Sequence, residues 1–508
     1  MRLPFPERVS LVPVVVFATV LCTLQIYQGT APLFSLCSFL FIIVAAIAFN
    51  VAGGITRPSG AYILSFAVLA VIVGLTWKAV VGEPADSNLQ APMVTIEVYL
   101  ASMCSMLGAV FVSRRLTTKR ALLANFVTDQ SMQSATMGCL VTGLVLSITL
   151  ALVSASARGP GTILSALLQL NRFLSMAIFL GVIHAIRRSG GTSSVSLPVL
   201  IAGGVTFVLG VLGFSKEGMI TPFVCWLVAA ASQRYKVSLP QIAGGIFVTF
   251  FIFHYLVPYS QYGRNYGASS SADNLDVSIA MMSDLGAVRR EYEGIEVEDE
   301  QDELVRGYFT NHQGFLDRLQ MIGPDDGLNA LTESGTVEGL TPLYIGFANL
   351  VPHFIWKNKP SMNPGNFYAH QMGYLADEDD TTGISFSPAG EAFHLMRWTG
   401  VLIVAPLLWI MLFAWFDSLC GDVRKSPWGL LIMVVFAHTA PEGGIGIVIY
   451  TLGYGTIALV FAAFAATYLM PIFGEIVGGP NRRTVRLADH VKQPLRPRPV
   501  DPPATVAG

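Results

Sequence analysis

The stretch PLFSLCSFLFIIVAAIAFNVAG, residues 32–53, contains no charged side chain. A helix crossing the hydrocarbon core of a bilayer needs about 20 apolar residues, and this run is long enough. Comparable runs occupy 11–27, 61–81, 93–113, 135–157, 165–186, 197–214, 218–233, 239–258, 394–416, 427–440 and 443–471. Together they predict an all-α polytopic membrane protein of about twelve spans. Composition agrees: 53% of residues are hydrophobic, only 13% are charged, and mean hydropathy is +0.58. A soluble chain carries about twice that charged fraction.

Arg2 and Arg8 precede the first apolar run, but no small-residue cleavage site closes it, so it reads as a retained helix rather than a leader. The six cysteines lie in or beside apolar runs, and there is no Cys-x-x-Cys pair. That pattern suggests helix packing rather than a disulfide framework or a zinc site.

Orientation follows from the basic residues of the short loops. With the N-terminus inside, cytoplasmic loops hold Arg57, then Arg114, Arg115, Lys119 and Arg120, then Arg187 and Arg188, then Arg234 and Lys236. Arg424, Lys425, Arg482, Arg483 and Arg486 continue the series. The opposite short loops carry Glu83, Asp86, Arg158, Lys216, Glu217 and Glu442. Both termini are therefore expected in the cytoplasm. Residues 1–258 form spans one to nine, 259–392 a large outer loop, 393–474 the last three spans, and 475–508 a Pro-rich tail. The loop holds 21 acidic against seven basic residues, a formal charge of −14, and in a bacterium it faces the periplasm. It is expected to contain short helices and a disordered acidic stretch near 291–305.

Polar residues in three places outside the apolar runs need a reason. The turn from Gly213 to Gly218 holds Lys216 beside Glu217. Such a lysine either snorkels from a helix end or binds an anionic head group. The segment from Val351 to Pro360 gathers His353, Trp356, Lys357 and Lys359 within an acidic loop. These residues suit either an interfacial anchor or a phosphate at the membrane surface. The segment from Ser385 to Arg397 sets Glu391, His394 and Arg397 three apart, on one expected helix face. Glu391 is there either as a helix cap or as a general base. Arg264 and Arg318 are further cations that could face a phosphate. The run Asp377 to Asp380 could collect a divalent cation, but such runs are more often solvated, and no metal site is assigned. Signatures of P-loop nucleotide binding, zinc proteolysis and nucleophile-elbow hydrolysis are absent.

In this ordered set the chain resembles the O-antigen polymerases, the Wzy-like oligosaccharide repeat-unit polymerases. The motifs are the turn Gly213 to Gly218, the Arg318-bearing segment, Val351-Pro352-His353-Phe354-Ile355-Trp356-Lys357-Asn358-Lys359-Pro360, and Gly390-Glu391 before a span. The match covers about 195–420 in detail. Lys216 and His353 stand where that family usually has arginine. The resemblance implies a GT-C-like membrane fold in the bacterial inner membrane. It also implies a metal-independent, inverting glycosyltransferase without cofactor, joining undecaprenyl-pyrophosphate-linked glycans. Its partners would be the lipid-linked donor and acceptor, the bilayer, a chain-length regulator and a flippase, with no nucleic acid. Carried over, Glu391 is the expected base, with Glu217 and His353 in reserve. Lys216, Arg264, Arg318, Trp356, Lys357, Lys359, His394 and Arg397 are the expected substrate-binding groups. An O-antigen ligase, which acts on the same carrier, and a polysaccharide transporter are the competing readings.

Overall fold

The computed structural model describes residues 1–124, 129, 131–152, 171–264, 274–299, 307–311, 313–352, 355, 356, 358–360, 362–379 and 382–478. Among them every regular element is helical. In chain order these are α1 (Leu11–Tyr27), α2 (Pro32–Ala52), α3 (Pro58–Val81), α4 (Pro92–Leu116), α5 (Met132–Leu152), α6 (Phe173–Arg188), α7 (Leu197–Leu212), α8 (Lys216–Ser232) and α9 (Leu239–Gly263). Shorter helices follow: α10 (Leu275–Ser283), α11 (Leu285–Asp299), α12 (Ile322–Glu333), α13 (Thr341–Asn349) and α14 (Pro364–Gln371). The chain closes with α15 (Pro388–Cys420), α16 (Trp428–Glu442) and α17 (Gly444–Val477). Seven of these helices, α2, α3, α4, α5, α9, α15 and α17, are long and apolar enough to cross a membrane, while α1, α7 and α16 are apolar but shorter. The described part of each apolar run read from the sequence overlaps one of these helices, while 153–157 and 165–170 lie outside the described residues. The chain is a polytopic, all-helical membrane protein.

Packing between the long helices relies on close backbone approach, as expected where lipid supplies no hydrophobic drive for helix association. Gly138 on α5 faces α17 so tightly that a Cβ would lie 1.9 Å from the Met470 carbonyl oxygen. One turn along, a Cβ on Gly474 would lie 1.9 Å from the Ser134 carbonyl oxygen. The two helices thus touch backbone to backbone.

The segment 259–392 is packed onto one end of the bundle. Met321 donates its N–H to the Ala70 carbonyl at 2.9 Å. Trp77 Nε1 donates to Gln313 Oε1 at 2.9 Å, and the Tyr308 hydroxyl to the Ala85 carbonyl at 2.7 Å. Two expectations need correction. The acidic stretch expected to be disordered is helical as far as Asp299, because Leu285 and Val288 of α11 pack against Leu256 and Tyr259. Residues 300–306 and the tail from 479 lie outside the described residues. The next long helix begins at Pro388, inside the stretch assigned to the loop, because Ser387 caps it there.

The other end of the bundle gathers the basic loops. Asp417 at the end of α15 accepts from the Ser59 N–H (3.1 Å) and hydroxyl (2.7 Å), with Arg57 at 3.9 Å. The terminal amine of Met1 donates to the Val237 carbonyl at 2.9 Å, and Arg424 pairs with Glu7 and Asp422.

The α5–α17 crossing gives a direct test of the packing. Gly138→Val is expected to remove most folded protein, because a backbone carbonyl cannot move aside as a side chain can. Gly108→Ala, with nothing within 4 Å of the added methyl, is expected to be neutral. Detergent-extracted monodisperse yield and melting temperature read both.

Candidate functional site

Helices that start inside protein present N–H groups which water cannot reach. Here buried carboxylates satisfy them. The short helix α12 buries polar residues beside its apolar ones: Asp325, Asp326, Asn329 and Thr332 are all buried, as are Ile322 and Leu328. Asp326 accepts from the N–H groups of Gln90 and Ala91 and from Thr95 Oγ1 at 2.9 Å, closing the N-terminus of α4. Asp325 accepts from the Ser387 N–H at 2.9 Å, from the Ser387 hydroxyl, and from the Tyr99 hydroxyl at 2.6 Å. Ser387 in turn caps α15 by accepting from the N–H groups of Ala389 (3.1 Å) and Gly390 (3.2 Å). Burial pushes Asp325 up to about 7, against its hydrogen bonds, and raises Asp326 as well.

Glu391 completes the set. Only 2% exposed, it accepts from the N–H groups of Ile445 and, at 3.4 Å, Gly446 at the start of α17. The Tyr368 hydroxyl of α14 donates to its other oxygen at 3.2 Å. Burial and the Glu391 carboxylate push the Tyr368 phenol well up, so it remains a donor. Gly444 is required twice over: its φ is +54°, and a Cβ would lie 2.5 Å from Glu391 Oε2.

Above this cap lies a cleft of about 380 Å³, a volume suited to a small ligand. Its walls are α13, α14, residues 383–386 and the first turns of α17, with Glu391 at the base. Asn349, Asn363, Ser385 and Glu442 offer polar groups, and Tyr368, Phe386 and Tyr450 offer rings. Glu442 is the reachable carboxylate, its side chain 27% exposed. Its Oε1 lies 3.7 Å from His438 Nδ1, and Ser385 Oγ donates to Oε2 at 3.4 Å. Hydroxyl-rich ligands need such acceptors and donors, and aromatic faces cover their C–H edges.

The structure gathers some of the residues singled out in the sequence and separates others. Lys216 and Glu217 open α8 within electrostatic reach of His438, and Lys216 also of Glu442. Lys359 lies behind the α13 wall, its Nζ donating to the carbonyls of Asn349 (3.3 Å) and Val351 (3.0 Å). Trp356 is 36% exposed nearby in the sequence. His353, Lys357 and the side chain of Arg264 lie outside the described residues. Arg318 is on a short 3₁₀ turn that lines a different cleft. Asp379 accepts from the Thr382 N–H at 2.9 Å, as a turn residue does.

The expected shared face of Glu391, His394 and Arg397 does not form. The helix kinks at Met396 (φ −150°) and Arg397 (φ 50°), so Arg397 swings away. Its Nη2 donates to the carbonyls of Thr332 (3.0 Å) and Glu333 (3.4 Å), covering the C-terminus of α12 rather than pairing with Glu391. His394 is fully buried behind Glu391, its Nδ1 2.9 Å from Thr332 Oγ1. Glu391 does cap a helix, but that of α17 instead of its own.

Residue-by-residue reading missed Asp325, Asp326, Tyr368, His438 and Glu442. Two signals were present: short polar residues at helical spacing along α12, and a His and a Glu four apart at the end of an apolar run. No protein family, characterised protein or solved structure matches the chain.

Because the folded state holds a proton on Asp325 that an unfolded chain releases between pH 3.8 and about 7, stability should fall as pH rises through that window and level off above it. Melting temperatures measured from pH 5 to pH 8 should show that decline in the wild type, and a shallower one in Asp325→Asn.

Proposed function

We propose that the cleft beneath α13 and α14 joins glycan repeat units carried on a lipid pyrophosphate, and that the chain is an oligosaccharide polymerase of a bacterial inner membrane. The observation that carries this reading is convergence. Asn349, Met362 and Asn363, Ser385, Phe386 and Glu391, and the start of α17, far apart in sequence, line one polar, aromatic-lined cleft, with Lys216 in electrostatic reach of its Glu442. In this reading twelve helices, α1 to α9 and α15 to α17, span the membrane, the basic end around Arg57 and Arg424 is cytoplasmic, and the cleft is periplasmic.

The base is assigned to Glu442 rather than Glu391. A base must reach the substrate, and Glu442 is 27% exposed while Glu391 is 2% exposed. The acceptor hydroxyl gives its proton to Glu442 as its oxygen bonds to the anomeric carbon of the donor. The bond from that carbon to the pyrophosphate oxygen breaks, the configuration inverts, and the lipid pyrophosphate leaves. Lys216 stands near Glu442 to stabilise the charge on the leaving group. His438 orients Glu442, while Glu391 and Tyr368 hold α17 in place as the cleft floor.

The test is a glycan ladder from cells lacking the gene, complemented with wild type or single variants at matched membrane levels. The deletion should leave single repeat units, and wild type should restore long chains. Glu442→Gln should accumulate normally yet cut polymer by about 100-fold or more, as loss of a general base does. Glu391→Ala should lower the amount of protein itself, because it leaves the N–H groups of Ile445 and Gly446 without their acceptor. Long chains stranded on the lipid carrier would make the protein a ligase instead. A ladder unchanged by the deletion would overturn the glycan reading.

A further inference from the structure

The segment 259–392 is crowded with charge, yet residues 339–352, GLTPLYIGFANLVP, carry none. Within that stretch Leu340 (53%), Tyr344 (57%) and Phe347 (53%) recur at helical spacing and are exposed. They form an uncovered apolar stripe on α13, and Ile355 and Trp356, a few residues on, are exposed as well. The opposite face of the helix is occupied. Gly346 lies on α17, where a Cβ would come 3.1 Å from Ile449 Cδ1. Leu350 fills the space beside Gly453 so closely that a Cβ there would have no room. Leu343 and Leu350 pack against the apolar cluster that the long helices share, not against the smaller cluster of Leu328, Tyr368 and Phe386.

Both ends of α13 mark its depth. Before it, Gly339 donates its N–H to the Leu395 carbonyl at 2.9 Å, just ahead of the α15 kink, and Trp398 beyond the kink is exposed. At its other end Leu350 meets Gly453, nine residues down α17 from Gly444, or about 14 Å at the rise of a helix. The ridge of α17 that carries Gly446, Ile449 and Gly453 continues as Ile457 and Phe461, both exposed on a helix long enough to cross the bilayer. Lipid covers that ridge, so α13 begins where lipid ends. Lys359 Nζ donates to the carbonyls of Asn349 and Val351 and so meets helix-end acceptors that an apolar phase could not.

We propose that α13 lies in the membrane interface at this end of the bundle, with Leu340, Tyr344 and Phe347 turned into the acyl region of the leaflet. An apolar helix face binds there through the area it buries, and tryptophans such as Trp356 and Trp398 favour that depth. The same helix parts lipid from the first cleft, because Pro342, Ile345 and Asn349 line the cleft. A second copy of the chain fits the stripe less well, since an interface between proteins has a polar rim and this stretch has no charge to supply one. The membrane contact is independent of the glycan reading: an unchanged ladder would leave it standing, and its loss would leave the role of Glu442 open to its own test.

Full-length protein carrying p-benzoyl-phenylalanine in place of Tyr344 or Phe347 would be placed in nanodiscs of palmitoyl-oleoyl phosphatidylglycerol and phosphatidylethanolamine and irradiated. The probe is itself aromatic, so each substitution keeps the stripe apolar. Monodisperse elution of each variant before irradiation separates lost contact from lost fold. Ile457, on the exposed ridge of α17, and Glu378, exposed in the acidic turn, are the reference positions. Intact mass should show an adduct of one phospholipid at Tyr344 and Phe347, as at Ile457, and loss of that adduct at Glu378. A covalent dimer of the chain at either position would overturn the proposal by making the stripe an interface between copies. Adduct yields no higher than at Glu378 would overturn it as well, because the stripe would then face water.

Discussion

A helix that begins inside a membrane protein leaves N–H groups with no water to receive them, and each one unmet is costly. In this protein Asp326, Asp325 acting with Ser387, and Glu391 meet that demand at the starts of α4, α15 and α17. Two of the three come from the single short helix α12. This short helix is therefore a clamp between long helices that are distant in sequence. The acids are stable there because they face helix N-termini, where the backbone dipole favours negative charge. Their burial is the opposing cost, seen in the raised value of Asp325.

This clamp shapes the first cleft. Glu391 fixes where α17 starts, and that start, with Gly443 and Gly444, forms one wall. Tyr368 reaches Glu391 from α14 and so sets the distance between opposite walls. The most buried carboxylate is thereby committed to architecture, and Glu442 with His438 is left facing the space. Two acids of the same cleft thus differ in exposure, Glu391 buried in the cap and Glu442 reachable.

The two clefts differ in the residues that line them. One carries Glu391 and Glu442 with amides and rings, the other Arg289, Arg318 and His254 above an apolar helix. Net charge by itself does not describe the segment 259–392, because the acids counted include the buried helix caps Asp325, Asp326 and Glu391.

Hydropathy by itself determined where the helices lie, since twenty apolar residues in a row admit few structures in lipid. It also marked Gly213 to Gly218 and Ser385 to Glu391 as places where polar groups need an explanation. Tertiary structure alone decided what those groups do. Glu391 caps a helix that starts more than fifty residues later, a pairing that no local spacing encodes. The kink at Met396 and Arg397 separates side chains that a regular helix would align. Asp325 and Asp326 look like solvated acids in a polar loop until α4 and α15 bring their N-termini to them. Helix formation is local, and so could be read along the chain; satisfaction of helix ends and the opening of a cleft depend on which helices meet.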